Sequence, residues 1–205
     1  MTRSLSRRMM LTAPLLAIGC SVLPDRPYQE VSRFPLEPRR EGTAWRGKGR
    51  RSLLVRNLRA PPALDVRGLR SILPDGTEHI DFYAEWSAPP AEAAEQALRR
   101  WLVESQLFSA VLAPGSRANA DLILEGELIK LAANRSKGYA EAELSFVLIS
   151  ERDAASRVLS QMISTGHAAL ADSNAPPRPE VLATAMTAAL AHALNSLEQA
   201  LSRYA

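Results

Sequence analysis

From Tyr139 to Ser150 the chain places Ala140, Ala142, Leu144, Phe146 and Leu148 at every second position, with Glu141, Glu143, Ser145 and Val147 between them. Successive side chains of a strand point to opposite faces, so a period of two writes a sheet with one buried face and one wet face. A helix is excluded over these residues, because a 3.6-residue turn would scatter the same apolar positions around its circumference. Strand patterns flank this segment at Asp121 to Leu131 and Arg157 to Leu170. The connectors, Asn134 to Gly138 and Glu151 to Ala155, are short and polar, which predicts an antiparallel meander. A half-buried sheet needs a cover. Beyond a Pro-rich loop, Ala175 to Pro179, a C-terminal helix supplies one through the stripe Leu182, Met186, Leu190, Leu194, Leu197 and Leu201.

The first half of the chain repeats this logic on a smaller scale. Ser52 to Arg59 alternates like a strand, and Pro61-Pro62 ends it. Leu69 to Leu73 and His79 to Trp86 flank Pro74-Asp75-Gly76, whose Asp-Gly step signals a hairpin. In the second arm Ile80, Phe82, Ala84 and Trp86 share the expected core face, opposite Asp81, Tyr83 and Glu85. Ser87-Ala88-Pro89-Pro90 opens a helix to about Gln106 with the stripe Leu98, Trp101, Leu102 and Ser105, and Phe108 to Leu112 makes a short strand. A further edge strand is expected at Tyr28 to Val31. The order strands, helix, strands, helix defines an α+β fold: a mostly antiparallel sheet with two helices packed on one face. The domain is read over 52–205.

The N-terminus is built differently. Residues 1–70 hold 15 of the 25 Lys+Arg but 5 of the 22 Asp+Glu, so the chain is basic at its start and acidic beyond. Arg3, Arg7 and Arg8 precede an uncharged run, Met9 to Gly19, that ends at Cys20, the sole cysteine. A basic head, an apolar run of about 7–15 residues and a small residue at the cut describe a secretory signal peptide, here 1–19. Eleven helical residues rise only about 16 Å, too short for a hydrocarbon core of about 30 Å. Ser6-Arg7-Arg8-Met9-Met10-Leu11 also resembles a twin-arginine signal, so both export routes stay open. Leu16-Ala17-Ile18-Gly19-Cys20 resembles a bacterial lipobox, which implies cleavage between Gly19 and Cys20 and acylation of the Cys20 thiol. Each buried methylene adds about 0.8 kcal/mol, so several acyl chains would hold the protein on its membrane permanently. Ser21 rather than Asp after the cysteine implies, by resemblance to enterobacterial lipoproteins, the outer membrane. The following stretch, 20–51, is rich in Pro, Arg and Gly and reads as a flexible lipidated tether. Removing 1–19 removes three arginines and no acid, so the mature chain is neutral overall.

Catalytic patterns are missing from the sequence. His79, His167 and His192 are isolated, no serine sits in a G-x-S-x-G elbow, and Cys20 is committed to lipid. Asp121, Glu125, Glu127, Glu141 and Glu143 alternate with apolar residues, which predicts a solvated strand face rather than a desolvated acid pair. The chain is read as no enzyme, with no metal and no cofactor beyond the covalent lipid on Cys20. Arg46, Lys48, Arg50 and Arg51 form a basic tract without interleaved aromatics beyond Trp45, which on an exported chain suits anionic headgroups or an acidic partner surface better than nucleic acid, and which reads equally as a solvated linker.

Taken together, the lipobox, an isolated Tyr28, the strand Leu53-Leu54-Val55 and the passage Ile80 to Trp86 into Pro89-Pro90 resemble the ABC-type transport auxiliary lipoproteins, the PqiC-like family. Leu107-Phe108-Ser109-Ala110-Val111, Ala120-Asp121-Leu122-Ile123-Leu124-Glu125-Gly126 and the alanine-rich last helix extend the resemblance from Tyr28 to Leu201. It implies a non-catalytic, periplasm-facing accessory lipoprotein that docks the MCE-domain subunit of an ABC transporter moving lipids between two membranes. It also implies a homo-oligomer where the partner is ring-shaped. Tyr83, Trp86 and Trp101 are the candidate contact residues for that partner. The alternative is an independent envelope lipoprotein that binds a lipid or cell-wall ligand between sheet and helices.

Overall fold

The computed structural model describes residues 28–47, 49–152, 156–171 and 177–205. Among these residues eight strands form one sheet: β1 Ser32–Phe34, β2 Ser52–Val55, β3 Gly68–Ile72, β4 Glu78–Trp86, β5 Ala110–Leu112, β6 Leu122–Asn134, β7 Tyr139–Ser150 and β8 Arg157–Ala169. Among the described residues two α-helices, α1 Pro90–Ser105 and α2 Pro179–Leu201, accompany them. The fold is α+β, as the patterning requires.

The meander stands where the alternation put it. β6 pairs antiparallel with β7 from Leu122↔Ser150 to Asn134↔Tyr139, and β7 with β8 from Tyr139↔Ala169 to Ser150↔Arg157. Ala140, Ala142, Leu144, Phe146 and Leu148 are all buried under α2 and its neighbours. The α2 stripe is equally closed, and each fully buried Leu or Met there contributes roughly 1.5–3 kcal/mol. Gly166 on β8 sets how close the helix comes. A Cβ there would lie 2.1 Å from the Ala189 carbonyl oxygen and 2.4 Å from the Ala193 nitrogen, so only glycine lets α2 rest its backbone on the strand.

The other edge of β6 is shared between two arms. β2 runs parallel to it along its first turn of sheet, Leu53↔Leu122 to Val55↔Leu124, and carries β5 on its far side, also parallel. β3 runs parallel to the end of β6 at Ser71↔Ala133, then pairs antiparallel with β4, and β4 carries β1 in parallel. Most paired residues are antiparallel, but the four short parallel pairings were not visible in the sequence. The Asp-Gly hairpin forms as expected: Gly76 takes φ +84°, and Asp75 Oδ1 accepts from the Thr77 amide at 2.9 Å.

Several boundaries differ from the sequence reading; β6, for one, runs to Asn134 rather than Leu131, and β5 starts at Ala110 rather than Phe108. The edge strand is Ser32–Phe34 rather than 28–31. Ser52 to Arg59 narrows to β2, with Arg59 making only an isolated bridge to Glu127. The largest difference is the tether: residues 31–51 belong to the folded body, whose compact unit begins at Val31. Leu36 and Pro38 are buried. The Trp45 amide donates to the Ser105 carbonyl at 2.9 Å, and the Ser109 amide to the Arg51 carbonyl at 2.9 Å. These residues form a strap along α1 and α2, not a free linker.

β4 also departs from strict alternation. Gly68 pairs with Glu85 and Arg70 with Ile80, so Asp81 to Ala84 stand opposite Leu69 alone. Such a bulge turns side chains off the pleat. Ala84 and Trp86 remain in the core, while Phe82, expected beside them, is expelled to the surface at 89% exposure.

Candidate functional site

The strap is pinned at one carboxylate. Glu198 interrupts the apolar stripe of α2 between Leu194 and Leu201 and is 2% exposed. Burying an ion without partners is prohibitive, and here four donors converge on it. Arg40 binds it as a fork, Nε to Oε2 at 2.9 Å and Nη2 to Oε1 at 2.8 Å. The Trp45 indole N–H donates to Oε1 and the Trp101 indole N–H to Oε2, each at 2.7 Å. Burial pushes the Glu198 carboxyl up, but the Arg40, Trp45 and Trp101 hydrogen bonds outweigh it and hold the group below its ordinary range. Arg40 is raised in turn, first by its hydrogen bond to Glu198. The cluster joins the strap, α1 and α2 in one charge-assisted knot.

Beside this knot a groove of about 700 Å³ runs between the strap and α2. Phe34, Pro35 and Pro38 form one wall, with Thr187, Ala191 and His192 opposite. The His192 ring Nδ1 lies 2.6 Å from the His167 carbonyl oxygen, which ties the helix to β8.

The expected contact tryptophans are both internal. Trp86 is 1% exposed in the core, and Trp101 is 4% exposed because its indole is committed to Glu198. Neither can meet a partner; this corrects the sequence reading, in which helix and strand spacing could not tell a core aromatic from a presented one. Tyr83 is on the surface, at 47% exposure, next to Phe82. In the basic tract Arg46 and Arg50 are exposed, while Arg51 donates to the Tyr204 carbonyl at 3.1 Å. Lys48, Gly19 and Cys20 lie outside the described residues.

Two carboxylates of the open sheet face, Glu125 and Glu141, are paired with cations. Glu141 meets Lys130 at 2.7 Å and His167 at 3.5 Å, and Glu125 meets Arg56. The Lys130 hydrogen bond holds Glu141 below its ordinary value. Asp121 has a structural task. Its Oδ2 accepts from the Ser52 amide at 2.8 Å and hydroxyl at 3.0 Å, while the Asp121 amide donates back to Ser52 Oγ at 3.0 Å. This reciprocal pair sets the parallel register of β2 on β6. Five residues on, a Cβ at Gly126 would meet the Phe146 ring at 2.5 Å and Leu58 Cδ1 at 2.8 Å. The Ala-Asp-x-x-Leu-x-Gly passage is therefore accounted for by packing. Among the described residues no group of His, Cys, Asp or Glu is arranged to hold a metal ion, and no helix is long and apolar enough to cross a membrane.

Sequence reasoning missed Glu198, Arg40 and Trp45. The one available signal was a charge inside an otherwise closed helical stripe, which demands a buried counter-ion.

The architecture is that of a single-sheet α+β body entered through a clamped N-terminal strap. It matches the crystal structure of protein XCC0632 from Xanthomonas campestris, described under family DUF330, with TM-score 0.69 and 18% identity over 84% of this chain and 95% of that one. An uncharacterized protein of known structure aligns with TM-score 0.50 and 15% identity over 85% of this chain and 98% of that one. At these identities the likeness is one of fold. No protein-family model matches the sequence, and no curated protein does either.

Proposed function

We propose that the chain is a non-catalytic accessory lipoprotein of the bacterial cell envelope, anchored through Cys20, facing the periplasm from the outer membrane and docking the MCE-domain subunit of an ABC-type lipid transport system. The observation that carries the reading is the juxtaposition of an export signal ending at a unique cysteine with a folded body that starts eleven residues later, at Val31. Likeness of fold to XCC0632 supports it. Energy would come from a separate ATPase subunit. Two measurements test it. Cys20→Ser should abolish acylation and leave the precursor uncleaved. Co-purification from a membrane extract should recover an MCE-domain protein; an abundant, acylated chain that brings none down would sink the docking role.

The groove beside Glu198 favours one second reading, an envelope protein that holds a lipid or a cell-wall ligand. Its volume of about 700 Å³ and its Phe34, Pro35 and Ala191 walls suit a single acyl chain. Native mass spectrometry of the purified protein should then show bound lipid, and an empty protein would exclude it.

A further inference from the structure

The exposed aromatic pair Phe82-Tyr83 stands where the chain enters the folded body. β1 lies parallel to β4 with Ser32 opposite Ala84 and Phe34 opposite Trp86, and the Ser87 amide fixes the pairing by donating to the Phe34 carbonyl at 2.8 Å. One step before Ser32, Val31 is therefore at the level of Tyr83, so the body's point of entry and its most exposed aromatic residues share one edge of the sheet. The bulge that puts them there is built: Gly68 admits it, since a Cβ would lie 2.5 Å from the Asp81 carbonyl oxygen, and Asp81 Oδ1 caps it by accepting from the Tyr83 amide at 2.8 Å. Of the charges around the pair, Arg33 is matched with Glu85 at 2.8 Å and Arg70 with Glu78, while the Asp81 carboxylate is held by the Tyr83 amide.

We infer that Phe82 and Tyr83 dip into the headgroup region of the membrane that holds the Cys20 lipid, and so orient the body with its β1–β4 edge down. The inference rests on the anchoring reading above. Eleven residues from Cys20 to Val31 span at most about 40 Å even when fully extended, so the entry edge stays within about one body diameter of the bilayer. Tyr settles at such interfaces with its ring among the upper acyl segments and its hydroxyl in water, and an exposed Phe beside it adds apolar surface to bury at the headgroup boundary. The exposed arginines of the basic tract, Arg46 and Arg50, belong to the other end. The strap travels along α1, from Phe34 at its start to Trp45 at the Ser105 carbonyl, and 16 helical residues span about 24 Å. An edge-down body keeps those arginines off the headgroups.

The test uses the full acylated chain held by its own lipid in phosphatidylethanolamine–phosphatidylglycerol vesicles that contain nitroxide-labelled lipid. With Cys20 acylated, Phe82→Cys and Arg46→Cys each offer a single thiol for a fluorophore. Several-fold quenching and a blue shift at position 82, with neither at 46, is the expected result. A probe at 82 in water, a probe quenched at 46 instead, or a change at 82 only after a protein partner is added overturns the inference and leaves the anchor standing. A chain shown by mass spectrometry to carry no acyl group overturns both. Hydrogen exchange on the unlabelled protein guards against a label artefact: amides of 79–84 should exchange more slowly in the acylated chain on vesicles than in the mature chain, 20–205, prepared without acylation and kept in solution, and unchanged rates would count against the inference.

Discussion

The two sides of β6 are held together by different means. On one side, β7, β8 and α2 bury a continuous apolar face through long antiparallel pairings, and their neighbours in space are neighbours in sequence. On the other, the strap 31–51 and the short strand β2 add few paired residues and depend on single polar fixtures, Glu198 and the Asp121–Ser52 pair. Distributed burial degrades gradually when one side chain is lost, whereas a fixture fails as a unit. The first region therefore carries the stability of the whole, and the second can open on its own.

Removing the fixture should produce the largest effect. Glu198→Ala strands the Arg40 guanidinium beside two indoles that lose their acceptor, and stripping one partner from a buried ion pair costs about 3–5 kcal/mol. The loss should be local first: amide exchange in 31–51 accelerates strongly while β7 and β8 keep their protection. Uniform acceleration across all elements would break the comparison. Leu190→Ala probes the opposite region. Cavity formation under α2 should lower stability by about 2–5 kcal/mol in urea unfolding, with the strap and the meander lost together in one transition.

That division also explains what the sequence made legible. Period-two alternation at Tyr139 to Ser150 and the Leu182 to Leu201 stripe are local signals, and both elements formed at their expected places. Parallel pairing of β2 with β6 joins residues about seventy positions apart, and no local pattern announces it. Phe82 failed the alternation because a bulge resets the phase of a strand, and Gly68, the residue that permits it, lies on the neighbouring strand. Residues 31–51 looked like a linker because their Pro and Arg content suggested solvent, although Pro38 and Arg40 serve packing and a salt bridge. Of the site, only Tyr83 among the expected aromatics was placed at the surface.

Acid should separate the two regions further. The folded carboxyl of Glu198 titrates below its ordinary value near 4.5, so its contribution is complete above that pH and disappears as pH falls through the folded value. Protonation removes the charge that Arg40 needs, and the strap should detach first. Trp45 and Trp101 report it directly, since both indoles donate to Glu198. Their fluorescence should change at a higher pH than the far-ultraviolet signal of the sheet; coincident acid transitions would mean that the strap is not an independent unit.

The smallest effect tests the seam between the regions. Gln106 ends α1 with φ +56°, the one non-glycine residue in the left-handed region among those described, and its amide turns back to the Val103 carbonyl at 3.2 Å. An L side chain is disfavoured there and glycine is not, while glycine also frees the unfolded chain. Relief of strain should outweigh that freedom, so Gln106→Gly is expected to stabilise by a few tenths to about 1 kcal/mol. Because Ser105 accepts from the Trp45 amide, a firmer α1 end should slow exchange at the strap as well as in α1. A gain in global stability with no change at Trp45 would show that the helix end and the strap are energetically separate.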